Sequence, residues 1–559
     1  MKTRAYSNLL MNIKRTLILF NRKLGKKHPQ SALHNRYFLQ LSRFRAKLVV
    51  PVFALFCLLI LSLSIRGLPG APTPKELNHA TWHDTGPLEL SPERGRYALI
   101  YSLVENKSFF FTKELADFSE PDIGYANGKY VSLFAPGVSF LAIPTYLVGK
   151  MFGIPQVGAF FTASLFAVIN VLLLRAIAIR LGAHPIAASV GALAFVFASP
   201  AFAYAVTLYQ HHISTFLILM SAYILLRWNN LLSLAAIWFL CAAAIPIDYP
   251  NLFFMLPIGF FALGRLFVVK KDKKKLLVKV KFLGSITFLA ALLPLLFFFW
   301  FNYNSSGNPF QLTGTLKTVK QAEFEERIPT NTLTEEEKKF VHDTNYLEYN
   351  KSAVGFFSSR RMINGLYEHI TSVDRGLVVF TPVMLFSILG IIYSLKSRKP
   401  LIAVLIAIVG FNILLYSMWG DPYGGWAFGS RYLIPSYAIL AIFLSIFLTR
   451  HRKNLFILIV FFLLLCYSLG VNTLGALTSN QNPPKVEAVG LGRITNRVEK
   501  YTYERNIDFL KDAGTKSYVY HVYFNKLLSP VEYYMLILTS ICGVSGVLLL
   551  LLRRERSLS

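Results

Sequence analysis

Acidic residues are scarce in this chain: 29 Asp and Glu stand against 58 Lys and Arg in 559 residues, a formal charge of +29. Cysteine is scarcer still. Cys57, Cys241, Cys466 and Cys542 all lie inside hydrophobic runs, which excludes a disulfide or zinc framework in the loops between them. There is no Walker A sequence, no GxGxxG after a strand, no HExxH and no DxD pair. Nucleotide-driven transport and intracellular nucleotide-sugar chemistry therefore have no visible home. No secretory signal with a cleavage site is visible, because residues 1–46 are too polar. Nor does a basic domain stand apart from the hydrophobic runs, so the positive charge is not read as nucleic-acid binding.

What is plentiful is apolar sequence. Hydrophobic residues make up 54% of the chain and mean hydropathy is +0.47. That composition belongs to an all-α, polytopic membrane protein. Runs of the roughly 17 to 25 residues needed to cross fall at 47–65, 156–179, 184–207, 211–228, 231–247, 250–268, 282–301, 373–395, 400–418, 430–448, 454–472 and 531–552. About twelve transmembrane helices are expected. The run 133–149 is short and interrupted by Pro136, Gly137 and Pro144.

Charge decides that run. If it does not cross and the N-terminus is cytoplasmic, only Asp272 and Glu555 of the 29 acids fall inside. The basic N-terminal segment, the 270–281 cluster, KSRK at 396–399, RHRK at 450–453 and RRER at 553–556 then face in with them. A crossing at 133–149 would turn the 270–281 cluster outward, against the positive-inside rule. The expected order is a basic cytoplasmic segment (1–46), a first span (47–65) and an outer loop with surface helices (66–155). A bundle (156–301), an outer loop (302–372) holding the acidic run EEEKK at 335–339, and a second bundle (373–472) come next. An outer segment (473–530) and a last span with a cytoplasmic tail (531–559) complete it. The amphipathic stretch 9–20 reads as an inner-leaflet anchor or as a disordered tail. The expected location is the plasma membrane, with both termini cytoplasmic and any active site on the outer face.

The unusual polar residues converge on that face. Ser91-Pro92 is a helix start, with Ser as cap and Pro in the first turn. Glu93, Tyr97, Ile100, Tyr101 and Val104 share one helical face, which places Glu93 on the apolar side with Arg96 in pairing reach. A carboxylate against apolar surface holds its proton more tightly, as a general base should. A helix-dipole glutamate is the other reading. Asp117 and Asp122 come next in the loop as further acid candidates or as solvated residues. Lys129 reaches a headgroup or snorkels. In LYQHH at 208–212, His211 and His212 open a helix whose N-terminus suits an anion. Asp248 in PIDYP lies close to hydrocarbon, which marks it as functional unless it serves the turn. Arg375 and Arg431 stand at outer span entrances and suit bidentate phosphate contact. The loop WGDPYGGWAFGSRY supplies Asp421, Tyr423 and Trp426 as substrate-binding candidates, with Trp419 beside them, or as interfacial aromatics. No motif requires a metal or cofactor, and a divalent ion stays open.

The order of these motifs resembles the GT-C class of integral membrane glycosyltransferases, among them protein mannosyltransferases and lipid A aminoarabinose transferases. The matching segments are PERGRYALIYSLVENKSF, LFAPGVSFLAIPTYLVG, LLLRAIAIRLG, IDYP, DRGLVVFTPV and GGWAFGSRYLIP, across 47–450. The resemblance implies a polyprenyl-phosphate-linked sugar donor, a glycan, lipid or protein acceptor, and inversion at the sugar carbon. It implies Glu93 as base and basic groups on the leaving phosphate, drawn from Arg96, Lys129, His211, Arg375 and Arg431. Two departures stand out. Relatives usually carry an acidic pair, or an acid preceded by Asp or Asn, where this chain has Pro92-Glu93, and many carry Lys where it has Phe134. Lys129 then compensates, or phosphate binding differs, or activity is altered. The alternatives are a transporter or flippase of a lipid-linked sugar, or a non-catalytic relative. Mid-span positions almost free of charge favour the enzyme.

Overall fold

The computed structural model describes residues 49–316, 357–495 and 499–554, apart from 84 and 273–274, with backbone alone at 268–280 and 491–495. The amphipathic stretch 9–20 and the acidic run 335–339 lie outside these residues. Met1–Phe56 and Cys57–Ser559 form separate units. The first unit contributes, among the described residues, only the opening turns of the helix Val49–Ser64 (α1). The rest of α1 and every later element belong to the second unit.

The architecture is helical. After α1 come Ser91–Val104 (α2), Lys113–Ser119 (α3), an antiparallel hairpin of Ile123–Ala126 (β1) and Lys129–Ser132 (β2), and Gly137–Met151 (α4). Pro155–Leu181 (α5), Pro185–Phe197 (α6), His211–Arg227 (α7), Leu231–Ala243 (α8) and Asn251–Gly264 (α9) are next. A second ribbon pairs Phe267–Asp272 (β3) with Lys275–Val280 (β4), where a basic loop was expected. Phe282–Ser306 (α10), Met362–Ile370 (α11), Pro382–Leu395 (α12), Pro400–Ser417 (α13), Arg431–His451 (α14), Leu455–Leu477 (α15), Lys485–Thr495 (α16), Glu504–Asp512 (α17) and Pro530–Arg554 (α18) complete it.

Among the described residues six helices, α5, α10, α13, α14, α15 and α18, are long and apolar enough to cross a membrane, which makes this an integral membrane protein. The other six expected spans fall on apolar helices too, but these hold only 10–17 residues each. The run 373–395 is not one helix: Leu377–Phe380 ends at Thr381, Pro382 opens a 3-10 turn, and the α-helix resumes at Phe386. Proline cannot donate to the turn before it, so the break sits where the sequence puts Pro382. The run 133–149 forms the 15-residue α4, below crossing length, packed against α5.

The core lies around α14, the most buried of the six long helices, which packs on α5, α6 and α12. α10 and α18 turn most of their surface outward, as lipid-facing helices do. Gly137 sets how α4 meets the turn before α9. Its N–H donates to the carbonyl of Pro246 at 2.6 Å, and a Cβ there would lie 2.7 Å from that oxygen. Only glycine lets α4 begin against the turn that carries Asp248.

Candidate active site

α2 is the platform of the site. Its N-cap is Leu90, not Ser91. The Ser91 hydroxyl instead donates to Asp122 at 2.5 Å, so Ser91 ties the helix to the next loop while Pro92 sets its first turn. Burial is also wider than a single stripe. Glu93, Gly95, Arg96, Tyr97, Ala98, Leu99, Ile100 and Ser102 are all buried, while Tyr101 and Val104 are only half-buried.

Glu93 is fully buried, and neither carboxylate oxygen has a hydrogen-bond partner among the described residues. Burial pushes its proton affinity up to about 8, and the nearby charge of Glu89 adds to this. Arg66, Lys516 and the Tyr209 hydroxyl pull the other way. The Tyr209 hydroxyl acts on Glu93 without making a hydrogen bond of ordinary geometry. A carboxylate paired with nothing and removed from water is costly, and such groups are kept for chemistry.

Arg96 does not pair with Glu93, as its spacing suggested. Its Nη1 donates to the Pro92 carbonyl at 2.8 Å and its Nη2 to Gln210 at 2.7 Å. Gln210 in turn donates to Asp248 at 3.2 Å. The guanidinium lies over the ring of Phe134 at 4.8 Å and that of Tyr209 at 5.7 Å, with Nε unpartnered among the described residues. Phe134, which stood out as a missing lysine, is therefore the aromatic face under a buried arginine. Gly95 makes room for it, since a Cβ there would sit 2.8 Å from the Phe134 ring. Burial pushes Asp248 up to about 6, with Arg96 and Gln210 holding it back.

A second guanidinium approaches from the start of α14. Arg431 lies 5.4 Å from the Tyr209 and Tyr432 rings, and its buried Nε has no hydrogen-bond partner among the described residues. His211 stacks on Tyr209 at 5.7 Å with 9° between the rings, and its buried Nε2 has no partner among the described residues. His212 is structural: its Nε2 meets the Ala201 carbonyl at 2.8 Å. Tyr209 is thus the common neighbour of Glu93, Arg96, Arg431 and His211. The arrangement combines a proton acceptor with two cations whose free N–H groups suit an anion.

The remaining expected residues sit elsewhere. Asp117 is half exposed on α3 and pairs with Lys113 at 3.5 Å. Asp122 is spent on Ser91. Lys129 is exposed on β2 and lies 4.1 Å from the Phe110 ring, so it does not stand in at Phe134. Arg375 is fully buried, but its Nε donates to Asp374 at 3.1 Å and its Nη1 to the carbonyls of Tyr423 and Gly425. It holds a loop, and its Nη2 has no partner among the described residues. Asp421 accepts from the N–H groups of Tyr423 and Gly425 at 3.1 and 2.5 Å, turning the same loop. Trp426 donates to Glu487 at 2.7 Å, under Arg505. The loop still borders the site: a Cβ on Gly424, at φ +74, would lie 3.2 Å from the Arg431 Nε.

Tyr209 and Gln210 were missed, although they precede His211 in a segment singled out for its histidines. Glu89, Arg66 and Lys516 were missed as well. Glu89 lies just before the start of α2, outside the helical face on which Glu93 was read.

Fold and site together define an integral membrane protein with a buried acid beside a tyrosine flanked by two arginines. No family model matches the chain, and no curated protein does. Among solved structures it is similar to ArnT from Cupriavidus metallidurans in the apo state, at 11% identity over 90% of this chain and 78% of that one, with a TM-score of 0.44. It is similar to the same protein bound to undecaprenyl phosphate, at 13% identity over 89% and 77%, with a TM-score of 0.39. It is also similar to the Archaeoglobus fulgidus oligosaccharyltransferase tethered with an acceptor peptide, at 13% identity over 88% and 55%, with a TM-score of 0.37. These are distant likenesses, and the site's own residues carry the functional reading.

Proposed function

We propose that this protein is a membrane glycosyltransferase that moves a sugar from a polyprenyl-phosphate donor to an acceptor hydroxyl at the outer membrane face, with inversion. The observation that carries this reading is Glu93, buried with both oxygens free, beside a tyrosine whose ring is flanked by the guanidiniums of Arg96 and Arg431. A proton acceptor and an anion site in one enclosure fit attack by a hydroxyl and departure of a phosphate.

In this reading Glu93 acts in its ionised form, and that carboxylate takes the proton of the acceptor hydroxyl. The acceptor oxygen forms its bond to the sugar carbon as the bond from that carbon to the phosphate oxygen breaks. The electron pair leaves with the phosphate, whose charge grows, and Arg96 and Arg431 hold that charge. His211 and Tyr209 line the enclosure and keep water out.

An apolar groove of about 370 Å³ supports a lipid donor. Gly137, Phe140, Phe216, Ile247 and Phe297 are among its walls. Ile247 adjoins Asp248, which Gln210 links to Arg96, so a hydrocarbon chain in the groove would bring its phosphate towards the guanidiniums.

The test is transfer from a radiolabelled polyprenyl-phosphate sugar by the reconstituted protein. Glu93→Gln is expected to lose about 10²- to 10⁴-fold in rate. Full transfer by that variant would overturn the assignment of the base.

A further inference from the structure

Three charged side chains that play no part in the proposed reaction meet next to Glu93. Arg66, just beyond α1, is fully buried and donates to four acceptors. Nη1 reaches Glu89 at 2.8 Å, Nε the Ala476 carbonyl at 3.1 Å, and Nη2 both Asn480 at 3.0 Å and the Gly475 carbonyl. Lys516, in the last outer segment, donates to the other oxygen of Glu89 at 2.5 Å and to the Gly86 carbonyl at 2.8 Å. The Asn480 N–H adds a third bond to Glu89 at 2.7 Å. No member of the trio is more than 5% exposed.

Such a network is a poor way to gain stability. Desolvating three charges costs several kcal/mol each, and apolar packing of equal volume does as well or better. Its position suggests another use. Glu89 lies four residues before Glu93, at the entry to α2, so whatever holds Glu89 holds the first turn that carries the acid. The clamp draws on both ends of the chain: Glu89 and Arg66 are 23 residues apart, Glu89 and Lys516 427.

We propose that Glu89, clamped between Arg66 and Lys516, is a positioning residue for Glu93: the trio fixes the station of that carboxyl and keeps one net positive charge beside it. This rests on the reading of Glu93 as the reacting acid. The charges bearing on Glu93 are Glu89 from its own approach, Arg66 from the end of α1 and Lys516 from the outer segment, and the Tyr209 hydroxyl faces it from the approach to α7. Arg96 lies on the same helix and interacts with Glu93 electrostatically. Neutralising Glu89 leaves two cations and should ease ionisation of Glu93. Neutralising Lys516 leaves no net charge and should oppose it.

The experiment is modification by dicyclohexylcarbodiimide, which reacts with protonated carboxyls in apolar surroundings. It is run on the full-length protein across a pH series and read at Glu93 by mass spectrometry. Wild-type labelling should fall with a midpoint near 8. Lys516→Met should raise the midpoint and Glu89→Gln should lower it, each by about one pH unit. Lys516→Arg should leave it in place. A merely structural clamp predicts otherwise: both neutral variants would loosen the site, admit water and move the midpoint downward together. Shifts of the same sign, or none, overturn the proposal. If Glu89→Gln does not accumulate in membranes, the lysine pair decides, since an unmoved Lys516→Met sinks it. The labelling needs no sugar donor, so opposite shifts alongside full transfer by Glu93→Gln would reject Glu93 as the base and keep the coupling.

Discussion

Glu93 carries its proton against the usual behaviour of a carboxyl, and that has a consequence for stability. Between the ordinary value of 4.5 and about 8 the folded chain holds a proton that the unfolded chain has released. Stability contributed by this group therefore falls as pH rises through that window, and the penalty is complete above about 8. Glu93→Gln removes the titration. Its thermal midpoint in detergent should stay flatter than that of wild type between pH 5 and pH 9, and lie above it at the alkaline end. A wild-type midpoint that rises over the same range would contradict the unpartnered burial of this carboxyl. Arg96 permits a second test. Arg96→Lys keeps the charge but loses the fork that reaches Pro92 and Gln210 together. With one charged hydrogen bond worth about 1.5–3 kcal/mol, the donor KM should rise roughly tenfold to a hundredfold. Helical spacing was enough to put Glu93 on an apolar face. It was not enough to find the partner of Arg96, because Gln210 is 114 residues away in the chain.

At the scale of elements, α2 shows how a local rule gives way to tertiary contact. Ser-Pro is a strong helix start, yet the Ser91 hydroxyl is drawn off by Asp122 and the helix begins without a side-chain cap. The missing lysine at Phe134 is explained at this scale too, since the ring supports a guanidinium from the neighbouring helix. Gly95→Ala tests that contact. Alanine is better than glycine in a helix by about 1 kcal/mol, but its Cβ would press on the Phe134 ring. The expected result is a raised donor KM without a matching gain in thermal midpoint, measured side by side. An unchanged KM would mean that the ring has no role in holding Arg96. The aromatic loop before α14 offered substrate-binding candidates or interfacial aromatics. Its Asp421 and Arg375 are engaged in folding it, and it meets the site through Gly424.

At the scale of the whole molecule, the expected orientation rests on charge. It calls for 66–155 outside and 396–399 inside. In intact cells a cysteine placed at Glu120, which is exposed, should react with an impermeant maleimide, while one placed at Ser397 should react only after permeabilisation. Glu120 protected and Ser397 reactive would invert the topology. The same orientation puts Arg66, Glu93 and Lys516 on the outer side, so the proposed base and its surroundings would meet a donor that arrives on that face.

Composition and periodicity by themselves determined the helical, membrane-embedded class, the positions of the apolar helices and the burial of Glu93. These follow from how many apolar side chains there are and how often they recur along a single helix. Only the tertiary structure decided which charges meet. It took Lys129, Asp117 and Asp122 out of the site, turned Arg375 to holding a loop, and brought Arg96, Tyr209, Gln210, Asp248 and Arg431 together. It also set Glu89 between Arg66 and Lys516. Side-chain pairing across hundreds of residues depends on how helices pack, and packing responds to the shape of the whole assembly rather than to any local pattern.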